Sequence, residues 1–320
     1  MRVPYLYRYG ARVFSYSEVS ETMKKTIFSR KTQKTITAWL LMAPGLILLG
    51  LFIFYPIVGS LPLMFFDYSV IGDTKFVGLG NFVKMFDDHE FWSALKNSVL
   101  FVGIVPIIQI LAMMLAFFVN RPIRGIKGFR TMIYLPVVTS MVAVSIIWGF
   151  LFNPNGVINT FLLEHGLIDK ALGFHHSAKT AMLCVGFVTI WQGLGYYMML
   201  YLAGIQSIPK ELTDAAIVDG ANVLQTMFFV NIPCLKPTIW FCTLNSVIAA
   251  VSVFDVVYVL TGGGPNNATN VLNYYSYYKA FKEFKFGYGA AVGAVQAVVV
   301  LLISLVIFAY GRKGGMNNDS

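Results

Sequence analysis

Six stretches of this 320-residue chain carry no charged side chain: between Lys34 and Asp67, Lys96 and Arg121, Arg130 and Glu164, Lys179 and Lys210, Lys236 and Asp255, and Lys285 and Arg312. In a soluble domain about a quarter of the residues are charged, which leaves no room for such gaps. Here the charged share is 12% and the hydrophobic share 57%. A helix needs roughly 20 apolar residues to cross a bilayer, and it satisfies its own backbone in lipid. All the gaps exceed that length except the one after Lys236, which reaches it if Asp255 stands near the outer interface. The chain therefore reads as an all-α integral membrane protein with six transmembrane helices, near 38–60, 95–119, 131–152, 180–205, 237–260 and 290–310. These make one membrane domain over 37–313, with tails at 1–36 and 314–320.

The net charge of +9 does not point to nucleic acid, because of where the charges lie. Sixteen Lys and Arg fall in the N-terminal tail, the Arg121–Arg130 turn, the Pro209–Lys236 loop and the C-terminus, and eight in the alternate segments. That bias places both termini in the cytoplasm. The basic run from Lys24 to Lys34 then meets anionic lipid heads. The first apolar run follows a long polar lead and is too long for a cleaved signal. Within 61–92, FVGLGNFVKMF followed by FWSALKNS reads as an amphipathic helix lying in the interface.

Several chemistries drop out. Cys184, Cys234 and Cys242 have no metal spacing and read as buried free thiols. His165, His175 and His176 fall in one loop without further ligands nearby and read as surface histidines. Thr261–Pro265, TGGGP, has no Lys-Ser/Thr after it and reads as a turn rather than a phosphate cradle. No pair of groups at one depth suits a membrane enzyme.

Two features remain. The fourth span holds Trp191, Gln192, Tyr196 and Tyr197 near mid-membrane, and the fifth holds Asn245, Ser246, Ser252 and Asp255. Polar groups at depth face a bundle interior or a pathway. Between these spans the chain returns to water over 207–237, SIPKELTDAAIVDGANVLQTMFFVNIPCLKP. Pro209 suits the first helical position, and Glu211 and Asp214 favour the helix start. Ala216 and Gly220, four apart, would share a face nearly bare of side chains, widened by Leu212 and Ala215. Such a helix suits docking into another protein's groove; the alternative is an ordinary loop whose Gly220 ends a helix.

Asp214-Ala215-Ala216, then Gly220, then Ile232-Pro233 resembles the EAA loop of the membrane subunits of binding-protein-dependent ABC importers, with Asp in place of the usual Glu. IPKELTDAAIVDGA is similar to the sugar-importer branch, the inner subunits of maltose and glycerol-3-phosphate systems. FVGLGNF, EFWSALKNS and VFDVVYVLTGGGP resemble the same family, over about 36–313. The resemblance implies a type I importer permease in a prokaryotic inner membrane. It forms half of a pathway for a sugar or oligosaccharide delivered by an extracytoplasmic binding protein. It also implies a second homologous permease and an ABC ATPase dimer that carries ATP and Mg, with no cofactor on this chain.

Coupling to the ATPase would then fall on Glu211, Asp214, Ala215, Ala216, Asp219 and Gly220. Arg121, Arg124, Lys127 and Arg130 offer either a second ATPase contact or lipid-head binding. The resemblance puts the solute pocket on the fourth and fifth spans, at Thr189, Gln192, Gly193, Asn245, Ala249, Ser252 and Val253, with Trp191 and Tyr196 as stacking partners. Against this, Gln192 and Asn245 would serve only to join helices. The rival class is a stand-alone secondary transporter or channel, which often shows half-chain repeats with broken helices; the sequence shows neither.

Overall fold

The computed structural model describes residues 16–68 and 74–313. Residues 1–15 and 314–320 of the two tails, and the side chains of Lys24 to Lys31 read as lipid contacts, lie outside the described residues. The chain divides into two compact units, Met1–Ser60 and Leu61–Ser320.

In the first unit a helix runs from Tyr16 to Leu49 and continues through a wide turn, Gly50–Phe54, into Tyr55–Ser60. The polar lead before the first apolar run is thus helical from Tyr16. No Gly or Pro interrupts Tyr16 to Ala43, so nothing stops the membrane helix from extending backwards. The wide turn precedes Pro56, which has no N–H to donate, and the N–H of Tyr55 reaches back to the carbonyl of Gly50. The run apolar enough to cross a membrane is Thr32–Phe65.

The second unit opens on a tight helical turn, Leu61–Phe65, followed by a short antiparallel strand pair, Phe66–Asp67 with Lys75–Phe76, and a helix Gly80–Phe86. The single interfacial helix expected here is therefore two helices. Asp88 separates them by accepting the N–H groups of Glu90 and Phe91 at 3.0 and 3.2 Å, which caps a new helix, His89–Phe101. That helix runs on as the second span, His89–Val119, beginning earlier than expected.

The carboxylate of Asp88 also accepts the hydroxyls of Tyr275 and, at 2.6 Å, Tyr288. Burial, the largest effect on Asp88, pushes its pKa up; the two hydroxyls and the two backbone N–H groups together outweigh it and hold the pKa below the usual carboxylate value. A lowered folded-state pKa means that the stabilisation is present above the unfolded value, about 3.9, and is lost as pH falls through the folded one. Asp88→Ala should cost about 2 kcal/mol, as a cap and charge-assisted hydrogen bonds are lost together. A melting curve of the detergent-purified chain unchanged by the substitution at pH 7 would refute this.

The third apolar region is broken. A helix Ile126–Tyr134 meets Pro136 in a tight turn, Leu135–Val138, and a second helix, Met141–Phe152, follows. The membrane-length run is Met141–Glu164, displaced from the expected 131–152. The fourth span is one helix, Ala181–Gln206, and the last is Phe286–Gly311. Among the described residues, five helices are long and apolar enough to cross a membrane. A sixth counts only if Val223–Cys234 and Lys236–Val251, bent by 69° at Leu235, form one span.

Lys236–Val251 is 16 residues, about 24 Å at 1.5 Å per residue. It stops short of the expected 260. After a break at 252–254 the chain is helical again to Thr261. The second half of the second span, Ile104–Val119, packs closely against the fourth. One buried cluster joins Phe101, Val144, Val185, Val188, Val251 and Val256; another joins Ala112, Ala116, Met198, Tyr201, Leu235 and Cys242.

His175 is buried rather than on the surface. Its ring lies 3.9 Å from that of His176, and burial first, then the neighbouring ring, lowers its pKa. It therefore sits neutral within the loop.

Candidate functional site

Between the two clusters lies a cavity of about 420 Å³, within the 300–1,000 Å³ usual for ligand pockets. The second span gives it Ile104, Val105 and Ile108; the turn Leu135–Val138 gives Val137 and the start of the third-span helix Met141. From the fourth come Thr189, Gln192, Gly193, Tyr196 and Tyr197, and from the fifth Asn245, Ser246, Ala249 and Ala250. The break in the fifth span supplies Ser252, Val253, Phe254, Asp255 and Val256. Of the nine pathway residues expected from the sequence, eight line this one cavity.

Trp191 does not. It points to the next face of the helix, with its ring edge-on to Trp148 at 5.5 Å. A helix turns 100° per residue, and the step back from Gln192 to Trp191 carries that side chain off the cavity face, while Gly193 on the other side stays on it.

The polar groups are unequally engaged. The Thr189 hydroxyl donates to the carbonyl of Val185 at 2.8 Å, within its own helix. The Asn245 amide donates to the Tyr196 hydroxyl at 3.2 Å, tying the fifth span to the fourth. Among the described residues, Gln192 and Asp255 have no hydrogen-bond partner. Gly193 lets the second span approach: a Cβ there would stand 3.2 Å from Ile108 Cδ1. Phe254 continues the wall into an aromatic pile, its ring 5.5 Å from Tyr258 and 5.2 Å from Tyr277.

Beside the cavity lies a network that the sequence reading missed. The buried Gln109 amide donates to Ser246 Oγ at 2.8 Å and to the Cys242 carbonyl at 3.2 Å. Its oxygen accepts the Tyr201 hydroxyl at 2.7 Å. One glutamine in an otherwise apolar helix was the visible signal, because an amide at that depth must find partners.

Binding-protein-dependent transport system inner membrane component is the description of the family model that matches residues 108–312. The chain belongs to this family. The lactose transport system permease protein LacF of Rhizobium radiobacter is 37% identical to this permease over 290 residues, covering 89% of this chain and 97% of that one. The sn-glycerol-3-phosphate transport system permease protein UgpA of Agrobacterium fabrum is 31% identical, over 91% and 98%. A chain of a bacterial ABC transporter involved in import of the acidic polysaccharide alginate has a similar fold, with a TM-score of 0.76, 26% identity, and 89% and 99% coverage. The alginate transporter in complex with its pentasaccharide-bound periplasmic protein gives 0.77 at 25% identity.

Membership, not an unbroken fifth span, now separates this permease from a stand-alone secondary transporter: the break at 252–254 removes the argument from intact helices. The polar loop also departs from expectation. Its helix is Lys210–Val218, with Pro209 as the N-cap residue rather than the first helical one. Glu211 lies in the first turn, and Asp214 a turn further on.

Asp219 is the C-cap, and Gly220 lies beyond the helix with φ +82°. The Gly220 N–H meets the Ile217 carbonyl at 3.0 Å and the Ala221 N–H meets that of Ala216 at 2.9 Å, a left-handed cap closing the helix. Gly220 therefore does not share a helix face with Ala216. Beside the exposed Lys210, Glu211 and Asp214, the helix also exposes the apolar Leu212, Ile217 and Val218, the last 86% exposed. Asn222 and Gln225 then cap the next helix reciprocally.

Proposed function

We propose that this permease forms half of the pathway of an ATP-driven importer, and that the cavity between its second, fourth and fifth spans receives a sugar or oligosaccharide. The observation that carries the reading is Gln192, an amide facing the cavity with no partner among the described residues, beside Tyr196 and Asn245. Amides and ring faces suit a solute with many hydroxyls, each both donor and acceptor. The lactose relative supports the same class.

A half-pathway needs a second permease to close it. With no GxxxxGK[ST] in this chain, energy has to come from an ATPase that holds ATP and Mg itself. The exposed helix Lys210–Val218 is the seat for that ATPase, and an extracytoplasmic binding protein delivers the solute. The positive-inside bias supports a cytoplasmic place for this helix, and the bacterial and archaeal relatives support a prokaryotic membrane.

Gln192→Ala and Asn245→Ala should each lower sugar uptake by vesicles at least severalfold, while the purified complex keeps its subunits and its basal ATP hydrolysis. Loss of the complex in both variants, with uptake per assembled complex unchanged, would make these residues mere links between helices, worth ~0.6 kcal/mol each.

A further inference from the structure

We infer that this cavity selects uncharged saccharides, and that Asp255 is the residue that does so, by accepting solute hydroxyls and repelling anions. The inference rests on the reading of the cavity as a sugar site. Among the described residues, no Lys, Arg or His lines the cavity, and Asp255 is its one ionisable carboxylate. Asp255 forms no ion pair or hydrogen bond with any described residue, so its charge is left for the solute. It stands just after the break in the fifth span, where the helix gives way to a turn over 252–254 and then resumes.

A free carboxylate takes two neighbouring hydroxyls at once, and such charge-assisted bonds are the stronger ones. The same charge, facing a site that holds no Lys, Arg or His among the described residues, repels a phosphate or uronate that enters. The solutes named for the relatives fall on both sides of this line: lactose is neutral, glycerol-3-phosphate and alginate are anionic. By its lining this chain belongs on the neutral side.

The test uses the full importer with its own binding protein in vesicles. Uptake of radiolabelled lactose and maltotriose is compared with that of digalacturonate and sn-glycerol-3-phosphate. The binding protein is the same throughout, so the ratio of variant to wild type isolates the permease. Wild type should prefer the neutral set at least tenfold. Asp255→Asn should raise KM for the neutral sugar about tenfold and narrow the gap to digalacturonate; Asp255→Glu should recover most of the KM. Asp255 is exposed, so neither change disturbs packing. Preference for the anionic set overturns the inference, as does an Asp255→Asn importer with unchanged KM and selectivity, and the sugar reading then stands. Uptake of none of the four by wild type removes the sugar reading, and this inference with it.

Discussion

Gly195→Val is expected to leave almost no folded permease, with the yield from membranes down at least tenfold. A Cβ at Gly195 would run into the carbonyl oxygen of Ile133, and it would stand 3.0 Å from both Tyr134 Cα and Val137 Cγ2. Two of these three obstacles are backbone, which cannot swing aside as a side chain tip does. Overpacking typically costs 1–3 kcal/mol when neighbours can yield, and here they cannot.

The position also matters for the cavity, since Tyr196 and Val137 both line it. Pushing the fourth span off the turn at Pro136 would move two walls at once. Gly128→Ala is the control, because a Cβ there meets nothing within 4 Å. Immunoblots of membranes and size-exclusion profiles decide the matter. A monodisperse Gly195→Val chain at wild-type yield would show that the turn moves freely, and the account of the cavity wall would fail with it.

The spans were legible because absence of charge over a membrane's thickness has few structural solutions. Their ends were not, because helices in lipid continue wherever no residue stops them. The helix from Tyr16 and the early start at His89 both ran past the apolar boundary, one for want of a breaker and one because Asp88 supplied a cap. The cavity was legible at Gln192, Tyr196, Asn245 and Ser252, since polar residues at depth need a reason. Asp255 was read both as a polar residue of the fifth span and as the mark of its outer end, and its place in the wall depends on the break after Val251. Nothing local announces that break: Ser252-Val253-Phe254 contains neither Gly nor Pro. Trp191 was read as a stacking partner because it is aromatic near mid-membrane, but its ring packs on Trp148 instead. Gln109 went unread because its partners come from two distant spans.

The loop after the fourth span gives the sharpest test of how the chain is driven. Ile217 and Val218 are 63% and 86% exposed on a nine-residue helix that stands clear of the buried clusters. Exposed apolar side chains on a polar loop mark a contact with another protein. Val218→Asp and Ile217→Asp should leave the yield and melting of the permease unchanged, since neither side chain is packed within the chain. Each should strip the ATPase from the purified complex and cut uptake at least about 30-fold, the loss from a hot spot worth ~2 kcal/mol or more.

Gly220 separates this from a purely local role. Its left-handed backbone sits in open space, so a side chain there meets nothing in this chain. Gly220→Asn, which tolerates that conformation, should be close to wild type if the glycine only ends the helix, and should uncouple the importer if a partner's backbone packs against it. Sidedness is settled by Asp219→Cys, which a membrane-impermeant maleimide should reach only in opened cells. Labelling in intact cells would place the helix outside, where no ATPase can meet it, and force would have to enter this permease by some other surface.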